Sequence, residues 1–272
     1  MSVLKIDNKN EIYYEYIEPK LKGCTFVFVN ALTGNTDTWT SEIGNQIIDK
    51  GNGFIAYNFR GQDKSKFNSD LSLDTDLIVS DLCFLIESLK PKNVVLVGLS
   101  IGGLYASLAL QKGINSLGLI LINTLRKQSL RLSWINQTMV NVARYGGISL
   151  LMDFNMPVIA SPELLEKMKP NALNPDNYKP LDENSGIFKL MHGSLTANWD
   201  INWSKIDIPT LIMTGHYDKV FRNSDDIDEL ANLIKKAERL EMQDCGHLIP
   251  IEKPIVFANY INNFAKKINV IF

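Results

Sequence analysis

Val94-Val95-Leu96-Val97-Gly98-Leu99-Ser100-Ile101-Gly102-Gly103 is the stretch that decides the reading of this chain. Its first half is a continuous apolar run, the pattern of a strand covered on both faces. Its second half opens a helix, Ile101 to Gln111, that ends near Gly113. Between the two, Gly98-Leu99-Ser100-Ile101-Gly102 fits G-x-S-x-G. A serine on a sharp strand-to-helix turn is held in a strained conformation with its hydroxyl projecting above the sheet, and small flanking residues let neighbouring backbone approach. The helix start adds positive potential and free N–H groups beside that oxygen. Glycine and serine are common, so the pattern gains its specificity from lying between a buried strand and a helix.

Outward from this turn the same rhythm recurs. Cys24 to Val29, Gly53 to Tyr57, Asn93 to Leu99 and Leu117 to Ile122 read as buried strands, and Glu11 to Glu18 as a half-buried one. Leu71 to Leu89 carries apolar residues at helical spacing, with Ser72 or Asp74 as cap and Pro91 after its end. Strands alternating with helices predict an α/β fold, a parallel sheet with helices on both sides. From about Leu125 to Trp203 the alternation stops. This stretch holds five of the ten prolines, five of the eight methionines and three of the four tryptophans. Helical fragments broken by turns are expected there. They form either an ordinary helical subdomain or a cap over a pocket, with methionine and tryptophan as apolar walls. The rhythm resumes with a strand from Thr210 to Thr214, a helix from Asp225 to Lys236, a short strand from Arg239 to Met242 and a closing helix from Pro254 to Lys267.

At 272 residues, 45% hydrophobic and 21% charged, the chain can bury a sizeable core without staples. A net charge of −2 offers no basic footprint for nucleic acid or an anionic membrane surface. The apolar runs are too short to span a bilayer. Three cysteines and an N-terminus without a signal-like apolar region predict a cytoplasmic protein.

A serine hydroxyl needs a base to take its proton and a third group to orient the base. Of His192, His216 and His247, only His247 lies in a loop after the last short strand, where a base reaches the carboxyl edge of the sheet. His192 and His216 read as surface or locally bonded residues. Asp218, just after the strand ending at Gly215, is the expected orienting carboxylate; Asp225 and Asp226 are rivals further along. The candidate set is therefore Ser100, Asp218 and His247. An oxyanion requires backbone donors. Ile101, after the serine, offers one, and Leu32, in the loop Asn30-Ala31-Leu32-Thr33-Gly34, is assigned the other. Cys245 beside His247 reads as a buried filler more readily than as a redox-sensitive thiol. No metal-ligand spacing and no dinucleotide fingerprint is found, so no cofactor and no metal is expected.

The sequence resembles the α/β-hydrolase fold superfamily over nearly its whole length. The resemblance rests on Gly98 to Gly103, on Asn58-Phe59-Arg60-Gly61, on Pro209 to Asp218, and on Gly246-His247-Leu248-Ile249-Pro250-Ile251-Glu252-Lys253-Pro254. It implies a mostly parallel eight-stranded sheet flanked by helices. The core would be 1–124 and 204–272, with a helical cap at 125–203 inserted after the sixth strand. A narrower similarity is to the 3-oxoadipate enol-lactonases, at Asn30-Ala31-Leu32 with Asp37 and Trp39 downstream, at Asn123-Thr124, and at Trp134 followed by Gly146-Gly147. It departs from that family at Trp134-Ile135-Asn136-Gln137, where an arginine would follow the tryptophan. It departs from the superfamily at Arg60-Gly61-Gln62-Asp63-Lys64-Ser65, in place of Arg-Gly-His-Gly-x-Ser. Asn30, Trp39 and Trp134 are the candidate substrate-binding residues, although Trp39 reads more readily as an anchor for the helix after its loop. The implied activity is cofactor-free cleavage of a small-molecule ester or lactone by Ser100, His247 and Asp218. Acyl transfer with the same triad, or a slow-turnover ligand-binding homologue, are the alternatives. The oligomeric state, monomer or homodimer, is open.

Overall fold

The computed structural model describes residues 2–125 and 127–269. The expected core and cap also take in Met1, Arg126 and residues 270–272, which lie outside the described residues. The described strands are β1 Ser2–Lys5, β2 Glu11–Ile17, β3 Thr25–Val29, β4 Gly53–Tyr57, β5 Val94–Leu99, β6 Gly118–Ile122, β7 Thr210–Gly215 and β8 Ala237–Met242. They form one eight-stranded sheet in the order β1-β2-β4-β3-β5-β6-β7-β8. β2 pairs antiparallel with β1 and β4, and every later pairing is parallel. The mostly parallel sheet expected from the buried apolar runs is the one observed.

Residues alternate between two cores because successive side chains of a strand point to opposite faces. Val27, Ile55, Leu96 and Leu119 face one core, together with helices α3 Thr75–Leu89 and α4 Ile101–Gln111. Phe28, Phe54, Val97 and Ile120 face the other, which contains Trp39 of the short helix α1 Asp37–Thr40 and Ile43 and Ile47 of α2 Glu42–Asp49. Asp74, one of the two predicted caps, is the one used: its carboxylate accepts from the Leu77 N–H at 3.0 Å.

The chain leaves β3 toward β4 on one side and returns to β5 on the other. Strand order therefore reverses between β3 and β5. In open α/β sheets a crevice forms at the carboxyl ends of such a pair. Here it falls between the Asn30–Gly34 loop and Ser100.

Between β6 and β7 the chain is helical: α5 Leu130–Ile159, α6 Pro162–Met168 and α7 Gly186–Ser194, joined by 3₁₀ turns. α5 is longer than the broken fragments that composition predicts. One break does occur, at Gly147, whose φ of 70° only glycine adopts readily and whose Cα lies too close to the Lys179 carbonyl for a side chain. Val140, Ala143, Leu151, Phe188 and Met191 give this segment a small core of its own. After β7 come α8 Ser224–Leu233, α9 Ile249–Glu252 and α10 Pro254–Asn269, the last packing its apolar face on α2 and the sheet. Among the described residues no helix is long and apolar enough to cross a membrane.

One ion pair lies inside this framework. Arg60, just past β4, grips Asp81 of α3 with two bonds, Nε to Oδ2 at 2.7 Å and a terminal nitrogen to Oδ1 at 2.6 Å, with both side chains buried. Arg60→Met leaves a buried carboxylate without its partner and is expected to lower the unfolding free energy by about 3–5 kcal/mol. Urea titration measures it. Adding Asp81→Leu should recover most of the loss, and a single variant as stable as the parent would contradict this view of the pair.

Candidate active site

Ser100 sits at φ 57° and ψ −123° between β5 and α4, a backbone region that non-glycine residues rarely enter. Three bonds hold it there. Its N–H donates to the Ile122 carbonyl at 2.8 Å, and its own carbonyl accepts from the Gly103 N–H at 3.0 Å and from the Thr124 hydroxyl at 3.1 Å. The small residues around it are sterically required. A Cβ on Gly98 would overlap the backbone of Gly102 and Gly103, and one on Gly102 would overlap the carbonyl oxygens of Val29 and Asn30.

Asp218 is buried in the turn after β7. Its Oδ1 accepts from the N–H groups of Val220 at 3.1 Å and Phe221 at 2.8 Å, and its Oδ2 lies 2.6 Å from His247 Nδ1. With Nδ1 carrying the proton toward the carboxylate, Nε2 is left with a free lone pair. His247 is itself buried, its N–H bonded to the Ile159 carbonyl at 2.6 Å and its ring 4.5 Å from that of Phe221. The rival residues lie elsewhere. Asp225 and Asp226 are in the first turn of α8, His192 is exposed on α7, and His216 faces Glu241 at 3.7 Å.

Two further side chains hold these loops, and sequence reasoning gave them no role. Asn123, at the end of β6, donates to the carbonyls of His247 at 2.8 Å and Gly246 at 3.2 Å and accepts from the Gly215 N–H at 3.0 Å. Glu252 is buried and accepts from three N–H groups, those of Gly246 (3.0 Å), Leu248 (3.1 Å) and Ser161 (3.0 Å). Both stand within sequence stretches that carry the family resemblance, but their partners are loops brought together only by the fold.

On the opposite rim, Gln62 shapes the loop after β3. Its Nε2 donates to the carbonyls of Ala31 at 2.8 Å and Leu32 at 3.1 Å, and its Oε1 accepts from the Phe59 N–H at 2.9 Å and Asn30 Nδ2 at 3.0 Å. A trans peptide sets its N–H opposite its carbonyl. Holding the Ala31 carbonyl on Gln62 thus turns the Leu32 N–H to the other side. Ile101 is the first residue of α4, where an amide has no intrahelical acceptor.

Ser100, His247, Leu32 and Ile101 all line one cavity of about 360 Å³. Its remaining wall is mainly apolar and comes largely from the helical segment, including Met139, Met152, Met156 and Met191. Among the described residues that line it there is no lysine, arginine, aspartate or glutamate. Two larger surface grooves, about 610 and 1040 Å³, contain none of the candidate residues.

The three expected substrate-binding residues are corrected by this geometry; none lines the cavity. Trp39 is fully buried, stacked on Phe28 at 4.5 Å, and donates from Nε1 to Asn30 Oδ1 at 2.6 Å. Asn30 is also buried, with its Nδ2 on the Tyr57 carbonyl at 2.9 Å, so its amide has no group left for a ligand. Trp134 is 74% exposed. Leu132, Asn136 and Met139 face the cavity at helical spacing, and two residues beyond Leu132 the helix has turned Trp134 to about the opposite side. Cys245 is the buried filler. Burial, with Asp244 and Glu252 adding, pushes its thiol up to about 12.

A family model described as the alpha/beta hydrolase fold matches residues 25–254 of this chain. Among solved structures, an alpha/beta hydrolase enzyme, MGS-M2, from a Medee basin deep-sea metagenome library is similar with a TM-score of 0.83 and 22% identity, over 97% of this chain and 96% of that one. The esterase EaEST from Exiguobacterium antarcticum is similar with a TM-score of 0.77 and 21% identity, over 94% and 96%. The enol-lactonase from Burkholderia xenovorans LB400 gives 0.77 and 21%, over 94% and 97%. At these identities the likeness is one of fold. A search of curated proteins finds no match.

Two outcomes follow from the site. Glu252→Ala leaves three N–H groups, two buried and one part-buried, without an acceptor and should destabilise the protein by about 3 kcal/mol, read by urea titration. Glu252→Gln, which keeps one accepting oxygen, should lose less; equal and negligible losses would show that the three bonds matter little. Iodoacetamide at pH 8 should leave Cys245 and Cys24, the latter pushed by burial to about 11, unmodified in the folded protein. Mass mapping of the adducts checks this, and prompt labelling of Cys245 would contradict its burial.

Proposed function

The chain belongs to the alpha/beta hydrolase fold family, and on that premise we propose that it is a serine hydrolase cleaving a small-molecule carboxylic ester or lactone. The observation that carries this reading is the 2.6 Å Asp218–His247 pair, whose imidazole opens into the cavity that Ser100 lines from its constrained turn. Ser100 Oγ attacks the substrate carbonyl carbon while His247 Nε2 takes the hydroxyl proton. Asp218 keeps the imidazole in the required tautomer and stabilises its charged form. The carbonyl oxygen, now an oxyanion, is received by the amides of Leu32 and Ile101. Collapse expels the alcohol, which takes the proton from His247, and leaves Ser100 acylated. In the second half, water gives a proton to His247 and attacks the acyl carbon. The acid leaves and Ser100 regains its proton.

In this reading residues 125–203 act as a cap on a core formed by 1–124 and 204–272. α5 and α7 supply the methionine-rich acyl wall, which favours an apolar acyl group. The three free cysteines suit a reducing compartment such as the cytoplasm.

Ser100→Ala should keep the fold and lower ester turnover by about 10⁴-fold or more, with loss of fluorophosphonate labelling. His247→Ala should be nearly as severe, and the double variant little worse than either, because the two act as a unit. Steady-state turnover of short methyl esters, with circular dichroism as the folding control, tests this. A Ser100→Ala protein that turns over esters at the parent rate refutes the assignment.

A further inference from the structure

Among the described residues, the cavity wall contains a buried amide that the fold uses only weakly. Asn155 of α5 is more than nine-tenths buried and lines the cavity. The only hydrogen-bond partner of its side chain among the described residues is the sulfur of Met139, 3.4 Å from Nδ2. A thioether is a weak acceptor, and a primary amide has two donors and a carbonyl oxygen to satisfy. The contrast with Asn123 and Asn30 is informative: both are buried at the same site, and both bond strong protein partners at each end of the amide. Neither polar atom of Asn155 is both fully enclosed and without a partner, so the amide is reachable from the cavity and offers a place for a ligand atom.

The surroundings restrict what that atom is. Met156 follows Asn155 on the same helix, Met152 and Leu151 lie one turn before it and Ile148 two turns before it, all on the cavity wall. No charged side chain among the described lining residues would meet a carboxylate or an ammonium, and burying an unpaired charge there is strongly disfavoured. The matching group is neutral; Oδ1 would take a hydroxyl, but Nδ2 lies against the sulfur of Met139 on the cavity wall and has a second N–H to place, so at that end the group is an acceptor better than sulfur. A carbonyl oxygen satisfies both conditions.

We propose that Asn155 is a specificity-determining residue that hydrogen-bonds a neutral carbonyl on the substrate's apolar arm, so that the favoured class is an uncharged oxoacyl ester or lactone. This deepens the hydrolase reading above and rests on it for the identity of the scissile bond. The methionines supply an adaptable wall for the methylene groups, and Asn155 fixes where along the chain the second oxygen sits. An acyl arm without that oxygen enters but leaves the amide unmatched. An arm ending in a carboxylate is rejected.

The test separates recognition from chemistry. Calorimetric binding is measured on the Ser100→Ala protein, where no turnover is needed. The probes are methyl hexanoate, methyl 3-oxo-, 4-oxo- and 5-oxohexanoate, and monomethyl hexanedioate. At least one oxo ester is expected to bind about tenfold or more tighter than methyl hexanoate, and the hexanedioate more weakly than either. In Ser100→Ala with Asn155→Leu, or with Asn155→Ala if the leucine variant does not fold, the ratio of oxo ester to hexanoate should fall to about one. Equal binding of all four neutral esters, tightest binding of the hexanedioate, or an unchanged ratio in the Asn155 variants would each overturn the proposal. Acid release from the same esters by the unsubstituted protein is followed separately. Failure of all hydrolysis there would count against the hydrolase reading while leaving the binding ratios to judge Asn155.

Discussion

A non-glycine residue at positive φ persists only where its surroundings leave it no alternative, and at Ser100 that constraint comes mostly from the end of β6 and the two residues after it. Ile122 accepts the Ser100 N–H, and Thr124 donates to the Ser100 carbonyl. Between them Asn123, itself at φ 45°, ties the loops after β7 and β8. One strand end thus reaches the segments that carry Ser100, Asp218 and His247. The strain, about 1–3 kcal/mol for such a conformation, is absorbed by a sheet whose central strands are buried throughout.

The helical segment is bonded to the same loops. The His247 N–H donates to Ile159, the Lys219 N–H to Val158, and the Ser161 N–H to Glu252, whose carboxylate also holds the amides on both sides of His247. The C-terminal end of α5 is therefore continuous with the support of the imidazole. α5 also lines the cavity along its length, from Leu132, Asn136 and Met139 to Met152, Met156 and Ile159. The same helix end therefore supports the imidazole through its backbone and shapes the cavity through its side chains.

Which parts were legible in the sequence follows from how far each depends on distant residues. The parallel strands are continuous apolar runs, and G-x-S-x-G announces its own turn, so the fold and the position of Ser100 are local information. β1 gives no such signal, being a four-residue edge strand with mostly exposed side chains. Asn30 reads as a ligand contact in sequence, because a polar residue beside a site attracts that reading, while the anchor reading of Trp39 agrees with its place in the core. Their bond to each other is visible only once α1 folds back over β3. Trp134 was misplaced by helical phase, which composition does not give. Gln62 and Glu252 are ordinary polar residues in sequence; their roles lie in bonds that span about thirty residues to the Asn30 loop and ninety-one to Ser161.

The two amides assigned to the oxyanion belong to different elements, Leu32 to the loop after β3 and Ile101 to the start of α4, so their separation is a tertiary quantity. It is set by how closely α4 approaches β3. That approach is limited by Gly102, whose Cα lies against the carbonyls of Val29 and Asn30, and it is fixed from the other side by Gln62 holding the carbonyls of Ala31 and Leu32. Any side chain at 102 would push the helix from the strand and widen the gap between the two N–H groups before it touched a substrate. The second glycine of the motif therefore bears on the distance between the two proposed donors, and Gln62 keeps the Leu32 N–H turned away from itself.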